Sequence, residues 1–192
     1  MKQILMILAA MISMEAAAQN ETYNPKRSVN LEVLGASGLV GVSYDSRFKT
    51  GSPWGYRVGI GYVYSERSNM FAHSRSLQGT DIPLELNYLL GKKSSKLELG
   101  LGVNFGYYKE KYNNYGMVPV GEDHGVTVYE SVLIGKDSHS TWGYYYYGNI
   151  GYRYQSKKGF QFRAGVIPSI QPNDKHGVKR VFTPYVSVGY AF

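Results

Sequence analysis

Residues Leu97-Glu98-Leu99-Gly100-Leu101-Gly102-Val103-Asn104-Phe105-Gly106-Tyr107 alternate without exception between a large apolar side chain and a polar or glycine residue. An alternation of period two places every apolar side chain on the same face of a β-strand. The pattern recurs along the chain from residue 28 onward, and helical periodicity is absent there. The sequence therefore predicts an all-β protein.

Eight segments carry the alternation and predict eight strands. Their approximate bounds are 28–35, 39–48, 55–65, 81–91, 96–110, 141–155, 159–168 and 181–192. The connections at one end are short, at 49–53, 91–96 and 155–159. Those at the other end are long and polar, at 66–80, 111–140 and 169–180, apart from a tight one at 35–38. This asymmetry is typical of outer-membrane barrels, so we predict an eight-stranded antiparallel up-and-down transmembrane β-barrel with periplasmic termini.

Three prolines test this strand count. Pro83, Pro168 and Pro184 all fall near the loop end of a predicted strand. Proline cannot donate to a β-ladder, so it belongs at strand ends or bulges. We therefore expect the three prolines to lie at strand ends or at bulges.

The first eighteen residues match a secretory signal peptide. Lys2 gives a positive start, residues 4–12 form an apolar run, and Ala16-Ala17-Ala18 supplies small residues for cleavage. The apolar run is too short to span a bilayer as a helix, and nothing after residue 18 approaches an apolar run of that length. We predict a signal peptide over 1–18, a short segment over 19–27 and a barrel over 28–192; a buried N-terminal helix is the alternative.

Composition restricts the classes of partner. The chain has no cysteine, which excludes disulfides, thiolate metal sites and a lipid-anchored lipoprotein. Its net charge is +7, but Lys and Arg are scattered, and no basic helix or zinc spacing accompanies them. We therefore expect no nucleic-acid partner, and we expect outer-membrane lipid to be the partner instead.

Each predicted strand has a less apolar face, and the composition of this face distinguishes a membrane barrel from a soluble calyx barrel such as a lipocalin. In a soluble barrel this face would meet water, where its many glycines would serve no purpose. In a small membrane barrel it lines a narrow lumen, and glycine makes room for side chains from the opposite wall. We predict a lumen charge network of Glu32, Asp45, Arg47, Arg57, Glu85, Glu98, Arg153 and Arg163, with Tyr145 and Tyr147 above it.

The apolar face carries aromatic residues at both ends, with Val, Leu and Ile between them. Two aromatic girdles of this kind mark the two membrane–water interfaces. The predicted girdle at the turn end is Phe48, Tyr56, Tyr88, Tyr154, Phe160, Tyr190 and Phe192. The predicted girdle at the loop end is Tyr64, Tyr107, Trp142, Tyr144 and Phe182. These girdles predict a location in the bacterial outer membrane.

Several stretches resemble a family of small, mostly uncharacterised outer-membrane β-barrel proteins. They are 31–35, 43–48, 82–93, 97–102, 151–155 and 162–165, and the resemblance covers most of the chain after the predicted signal peptide. The resemblance implies the barrel fold. It also implies that the barrel-assembly machinery reads the C-terminal strand through Phe192. It implies no chemistry.

No catalytic or metal-binding constellation emerges from the remaining residues. The histidines all lie in predicted loops, at His73, His124, His139 and His176. Ser138-His139-Ser140 lies near the outer rim, where lipid-modifying barrel enzymes place Ser or His, but no carboxylate follows at a telling spacing. Residues 122–124 lack the spacing of a calcium loop. We therefore expect no catalytic residue, no metal and no cofactor.

Three classes of function remain. The first is a structural or surface-binding protein that acts through loops 66–80 and 111–140, with a lumen filled by side chains. The second is a narrow pore or transporter for small solutes. A lipid-modifying enzyme is the weakest of the three. The interior of an eight-stranded barrel is only wide enough for its own side chains, which favours the first class.

Overall fold

The chain folds into a closed antiparallel β-barrel. The computed structural model describes residues 25–69, 73–91, 94–123, 126–171 and 179–192. Its strands are β1 (Arg27–Leu34), β2 (Val40–Arg47), β3 (Trp54–Asn69), β4 (His73–Leu90), β5 (Ser95–Asp123), β6 (Val126–Gln155), β7 (Phe160–Gln171) and β8 (Lys179–Ala191). Each strand pairs with the next, and β8 pairs with β1 to close the ring. The predicted fold class and strand number are confirmed. The predicted signal peptide lies outside the described residues.

The barrel wall turns its apolar side outward. In β1, Val29, Leu31 and Val33 are 44–49% exposed, whereas Ser28, Asn30 and Glu32 are buried. The same arrangement, with apolar side chains outside and polar side chains inside, holds around the ring. Large hydrophobic residues are exposed on every strand, while most buried side chains are polar or charged. In the described ranges no helix is long and apolar enough to cross a membrane.

The prediction of long loops at 66–80 and 111–140 is wrong, because the described residues of both stretches continue the paired strands. β3 and β4 approach their turn as far as the pair Asn69–His73. β5 and β6 stay paired to Asp123–Val126, with two register shifts on the way. In the sequence of these extensions polar and apolar residues do not alternate with a period of two, while Val, Tyr and Thr still favour extended backbone.

The three prolines lie inside strands rather than at strand ends, so the strand-end part of that expectation is wrong. Each one nevertheless coincides with an interruption of a ladder. The register of β3 and β4 skips Pro83, and the register of β6 and β7 skips Pro168. Pro184 lies one residue beyond Tyr185, where the pairing of β8 with β1 stops. The missing N–H of proline therefore falls where the ladder does not use it.

The rim of the barrel at the hairpin end is uneven. The β1–β2 hairpin stops at Leu34 and Val40, which pair with Tyr185 of β8 and Tyr62 of β3. Both neighbouring strands continue beyond these pairs. The wall is therefore lowest above the first hairpin and highest at β5 and β6.

Candidate functional site

The middle of the barrel is filled by eight charged side chains, all at most 5% exposed. Four are arginines and four are carboxylates, and every strand except β8 contributes at least one. They are Glu32 on β1, Asp45 and Arg47 on β2, Arg57 on β3, Glu85 on β4, Glu98 on β5, Arg153 on β6 and Arg163 on β7. The alternation of each strand aims these residues inward, and ring closure brings them together.

Glu98 is the fully buried centre of this network. Its carboxylate accepts hydrogen bonds from Arg153 Nε at 2.8 Å, from Arg163 Nε at 3.0 Å and Nη2 at 2.9 Å, and from Arg57 Nη2 at 3.2 Å. The Asn149 amide adds a further donor at 3.2 Å. The Glu98 carboxylate thus binds arginines from three different strands, β3, β6 and β7.

Asp45 forms a second centre nearer the turn end. It accepts two hydrogen bonds from Arg153, at 3.1 and 2.8 Å, and one from Arg47 at 2.7 Å. The Asn87 amide donates to its other oxygen at 2.8 Å, and Asn87 in turn accepts a hydrogen bond from Arg47. Arg153 therefore connects the two centres, because it binds both Asp45 and Glu98.

Arg57 connects the remaining two carboxylates to the network. It donates to Glu85 and lies 3.4 Å from Glu32, and Arg163 Nη1 lies 3.6 Å from the same Glu32 oxygen. Gly100 makes room here, because a Cβ at that position would stand 2.6 Å from Glu85 Oε1. Glycine on the inner face therefore gives space to a carboxylate from the adjacent strand.

The network balances four positive charges with four negative ones. A buried ion costs several kcal/mol of desolvation unless it is paired and hydrogen-bonded, and these ions are paired repeatedly. The guanidinium group presents donors in a planar fork, so one arginine can bind two carboxylates at once. The geometry makes this set of eight side chains neutral overall and joins them across the lumen.

A short 3₁₀ turn, Gly35–Ser37, closes the lumen above the network. Its residues are buried inside the barrel, where Ala36 packs with Tyr147, Tyr185 and Ile167. The Ala36 carbonyl accepts hydrogen bonds from Asn104 Nδ2 at 2.5 Å and from the Tyr145 hydroxyl at 3.3 Å. Sequence reasoning identified a tight connection here but missed its inward fold.

The backbone around this turn has unusual dihedral angles. Leu34, Gly35 and Gly38 have φ values of 63°, 80° and 74°. The turn rests on Gly61 of β3, where a Cβ would stand 2.6 Å from the Ser37 carbonyl carbon. The glycines and small residues at 35–38 were the sequence signal that a compact turn could enter the barrel.

A cavity of about 230 Å³ opens at the turn end of the barrel, below the network. Lys96 lines it and is buried. Sequence reasoning did not include Lys96 among the lumen residues. Its phase with Glu98 and Gly100 was the signal that could have placed it there, because residues two apart on a strand share a face.

The predicted girdle residues lie on the outer face of the barrel. Phe48, Tyr56, Trp142, Tyr144, Phe160, Tyr190 and Phe192 are exposed, and Tyr88 and Tyr154 are half-buried. Trp54, which sequence reasoning missed, stacks edge-on against Tyr88 with ring centroids 4.9 Å apart. At the other end, the ring centroids of Tyr107 and Trp142 lie 5.0 Å apart.

The candidate chemistry at the outer rim gains no further support from the structure. Ser138 and His139 are exposed on the β6 extension, and the Ser138 N–H donates to Asp137 at 2.7 Å. Among the described residues, no group of three or more His, Cys, Asp or Glu could hold a metal ion. His124 and His176 lie outside the described residues, and His73 begins β4.

Comparison of the sequence with known proteins gives no match. No protein-family model matches the chain, and no curated protein matches it significantly.

Solved structures do resemble this barrel. A major outer membrane protein from Thermus thermophilus aligns with a TM-score of 0.56 at 13% identity, covering 88% of this chain and 100% of that one. Ail, the attachment invasion locus protein of Yersinia pestis, gives 0.53 at 13% identity, with 88% and 100% covered. The N-terminal β-barrel domain of Pseudomonas aeruginosa OprF gives 0.51 at 12% identity, with 88% and 98% covered. Together with the outward apolar face and its exposed aromatic residues, these neighbours identify the fold as that of an integral outer-membrane β-barrel protein.

Proposed function

We propose that this protein binds partners at the cell surface through its protruding hairpins, and that its barrel serves as a closed membrane anchor. The observation that carries the proposal is the extension of β5 and β6 far beyond the girdle pair Tyr107–Trp142, as far as Asp123–Val126. At roughly 3.3 Å per residue, sixteen further residues on β5 reach on the order of 50 Å of strand. A projection of that length is more than a barrel needs for closure.

The outer part of this projection is a two-stranded ribbon, formed by residues 115–123 and 126–134. β4 pairs with β5 only as far as Asn114, so beyond that point β5 pairs only with β6 among the described residues. Large apolar side chains are exposed along the ribbon, including Met117 and Ile134 at 60% and 68%. Such side chains and free strand edges are typical of protein-interaction surfaces, where an incoming strand can pair.

The lumen supports an anchor rather than a pore. The arginine–carboxylate contacts and the buried turn at 35–37 occupy successive levels along the barrel axis. A conducting path would require several of these ion pairs to separate inside the barrel. The proposal therefore includes neither transport nor catalysis. Ail, which shares the fold, is named an attachment invasion locus protein, and attachment belongs to the class of function proposed here.

The test removes the ribbon and leaves the barrel intact. Residues 115–134 are replaced by Asn-Gly, which can join the paired residues Asn114 and Gly135 as a two-residue hairpin turn. Lipid vesicles containing either protein are then scored for adhesion to immobilised serum and extracellular-matrix proteins. We expect adhesion by the full-length protein and its loss in the shortened one, with heat-modifiable mobility retained by both.

A planar-bilayer recording completes the test. We expect no steady single-channel conductance from the full-length protein. Steady conductance, together with adhesion that is unaffected by loss of the ribbon, would contradict the proposal and favour the pore.

A further inference from the structure

The outer face of β5 and β6 changes from aromatic to basic beyond Tyr107. On β5, Lys109 and Lys111 follow Tyr107 at every second position, so the three side chains share one face of the strand. On β6, Lys136 lies on the same face, because it pairs with Asn113, two residues beyond Lys111. All three lysines are exposed. We call Lys109, Lys111 and Lys136 the lysine triangle.

The three ammonium groups lie close enough together to contact one ligand. Lys109 and Lys111 are separated by about 7 Å along the strand. Lys111 pairs with Ser138, two residues beyond Lys136, so Lys111 and Lys136 are diagonal neighbours at roughly 7–8 Å. Within the part of the chain that the structure describes, none of the three ammonium groups forms a hydrogen bond or an ion pair. Each is therefore available to a ligand from outside the chain.

The neighbours of the triangle on the same face are polar and uncharged. The residues that pair with Lys109 and Lys111 on the two flanking strands are Gln78, Ser140, Ser76 and Ser138. Hydroxyl and amide groups can both donate and accept hydrogen bonds. The surface thus combines positive charge with neutral hydrogen-bonding groups, which suits a ligand that carries both phosphates and hydroxyls.

The carboxylates of the same stretch lie on the opposite face. Glu110 and Asp137 are each displaced by one residue from the phase of the lysines. On the outer face, the carboxylate that the ladders of the described residues place nearest to Lys111 is Glu66, two strands away on β3. That spacing is roughly 10 Å, and Glu66 accepts a hydrogen bond from the Tyr64 hydroxyl at 2.9 Å. Positive charge therefore predominates on the outer face here.

The triangle begins at the level of the lipid head groups. Tyr and Trp on the outside of a barrel mark the membrane–water interface, and Tyr107 is the last aromatic residue before the lysines on this face of β5. Lys109 and Lys111 lie about 7 and 13 Å farther along the strand. Barrel strands tilt by roughly 35–45°, and the head-group layer is about 5–8 Å thick. Lys109 therefore lies in this layer and Lys111 just above it.

We propose that the lysine triangle binds a phosphorylated glycolipid of the outer leaflet. Its phosphates contact the ammonium groups, its sugar hydroxyls contact the neighbouring serines, and its acyl chains lie along the exposed apolar wall below Tyr107. The lysines are spread over roughly 13 Å of strand, which exceeds one phosphate. A head group with phosphates on a sugar scaffold therefore fits better than that of a phospholipid.

This inference shares one premise with the proposed surface function, namely that the hairpin end of the barrel faces outward. It uses no contact of the ribbon. Replacing residues 115–134 with Asn-Gly leaves Lys109, Lys111 and Lys136 in place, so the shortened protein should bind the glycolipid as the full-length protein does, whatever its adhesion.

The experiment adds diphosphorylated lipid A to the folded protein in detergent micelles and measures bound lipid by native mass spectrometry. The variant K109Q/K111Q/K136Q removes the charges of the triangle, and K109R/K111R/K136R retains them. The matched control K26Q/K49Q/K158Q removes three exposed lysines at the turn end. We expect saturable binding by the wild type, the arginine variant and the control. Binding by the glutamine variant should be at least about tenfold weaker, because each basic residue near an anionic surface contributes roughly fivefold.

Two further lipids test the chemistry of the ligand. Lipid A from which the phosphates have been removed should bind the wild type weakly, and phosphatidylglycerol should not displace intact lipid A. Heat-modifiable mobility shows that each variant is folded. An equal loss of binding in K26Q/K49Q/K158Q and K109Q/K111Q/K136Q, equal binding of the dephosphorylated lipid, or full displacement by phosphatidylglycerol would overturn the proposal.

Discussion

Asp45 on β2 and Arg153 on β6 are joined across the lumen by two hydrogen bonds, of 3.1 and 2.8 Å. In a ring of eight strands these two strands lie on opposite sides. Backbone ladders connect only neighbouring strands, so this contact fixes a distance that the ladders do not. The cross-section of the barrel thus depends on side chains as well as on strand pairing.

Replacing Arg153 with Met should lower the free energy of unfolding by roughly 3–5 kcal/mol, because Asp45 and Glu98 would remain buried with fewer counter-charges. Urea unfolding in lipid vesicles, followed by heat-modifiable mobility, measures this change. The matched control is Lys136→Met on the exposed β6 extension, which should change stability by less than about 0.5 kcal/mol. Equal stability of the two variants would show that the lumen contacts contribute little.

The closed ladder predicts a characteristic electrophoretic behaviour. Backbone polar groups in lipid must be paired internally, and a barrel satisfies this only when the ring is complete. Detergent-purified protein should therefore run compact when unheated and more slowly after boiling, at the position of the urea-unfolded chain. A chain that stays soluble and folded without detergent would exclude the membrane barrel.

The strands and their inner faces could be predicted because the alternation that a membrane strand requires is visible within a short stretch of sequence. Each strand that crosses lipid must present apolar side chains to one side only, so a stretch such as 97–107 carries the signal by itself. The same reasoning placed Glu98 and Arg153 on the inner face. It failed at 111–140, because a strand pair that is exposed on both faces has no need to alternate.

The partners within the lumen could not be predicted. Asp45 and Arg153 are 108 positions apart, and their contact depends on the register of several ladders around the ring. The inward turn at 35–37 was also hidden, because it depends on positive φ values, one of them at Leu34. Leucine rarely adopts such a φ, so its identity gave no hint of this backbone.

Phe192 closes the seam between the first and last strands. Its N–H donates to the Arg27 carbonyl at 2.8 Å, and its carbonyl accepts from the Arg27 N–H at 3.0 Å. We expect deletion of Phe192 to lower the assembled, heat-modifiable fraction in the outer membrane while export to the periplasm continues. Phe192→Tyr retains an aromatic ring and should assemble normally. Unchanged assembly after the deletion would show that this aromatic residue has no role in assembly.

Gly61 should be intolerant of even one added methyl group. A Cβ there would stand 2.6 Å from the Ser37 carbonyl carbon, so Gly61→Ala should displace the turn at 35–37 and cost roughly 1–3 kcal/mol. Hydrogen exchange of residues 35–38 should quicken. Gly121→Ala is the control, because no atom lies within 4 Å of the added Cβ. Identical exchange in the two variants would contradict the inward packing of this turn.

Because the rim is uneven, the barrel has a low side at β1 and β2 and a high side at β5 and β6. On the low side, above the first hairpin, the upper parts of β3 and β8 extend past the end of their pairing with β2 and β1. On the high side, β5 and β6 stay paired far beyond Tyr107 and Trp142. A neighbouring protein therefore meets a different surface at each angle of approach. Although the hydrogen-bonded ring is closed on all sides, contacts made on the low side of the rim therefore differ from contacts made on the high side.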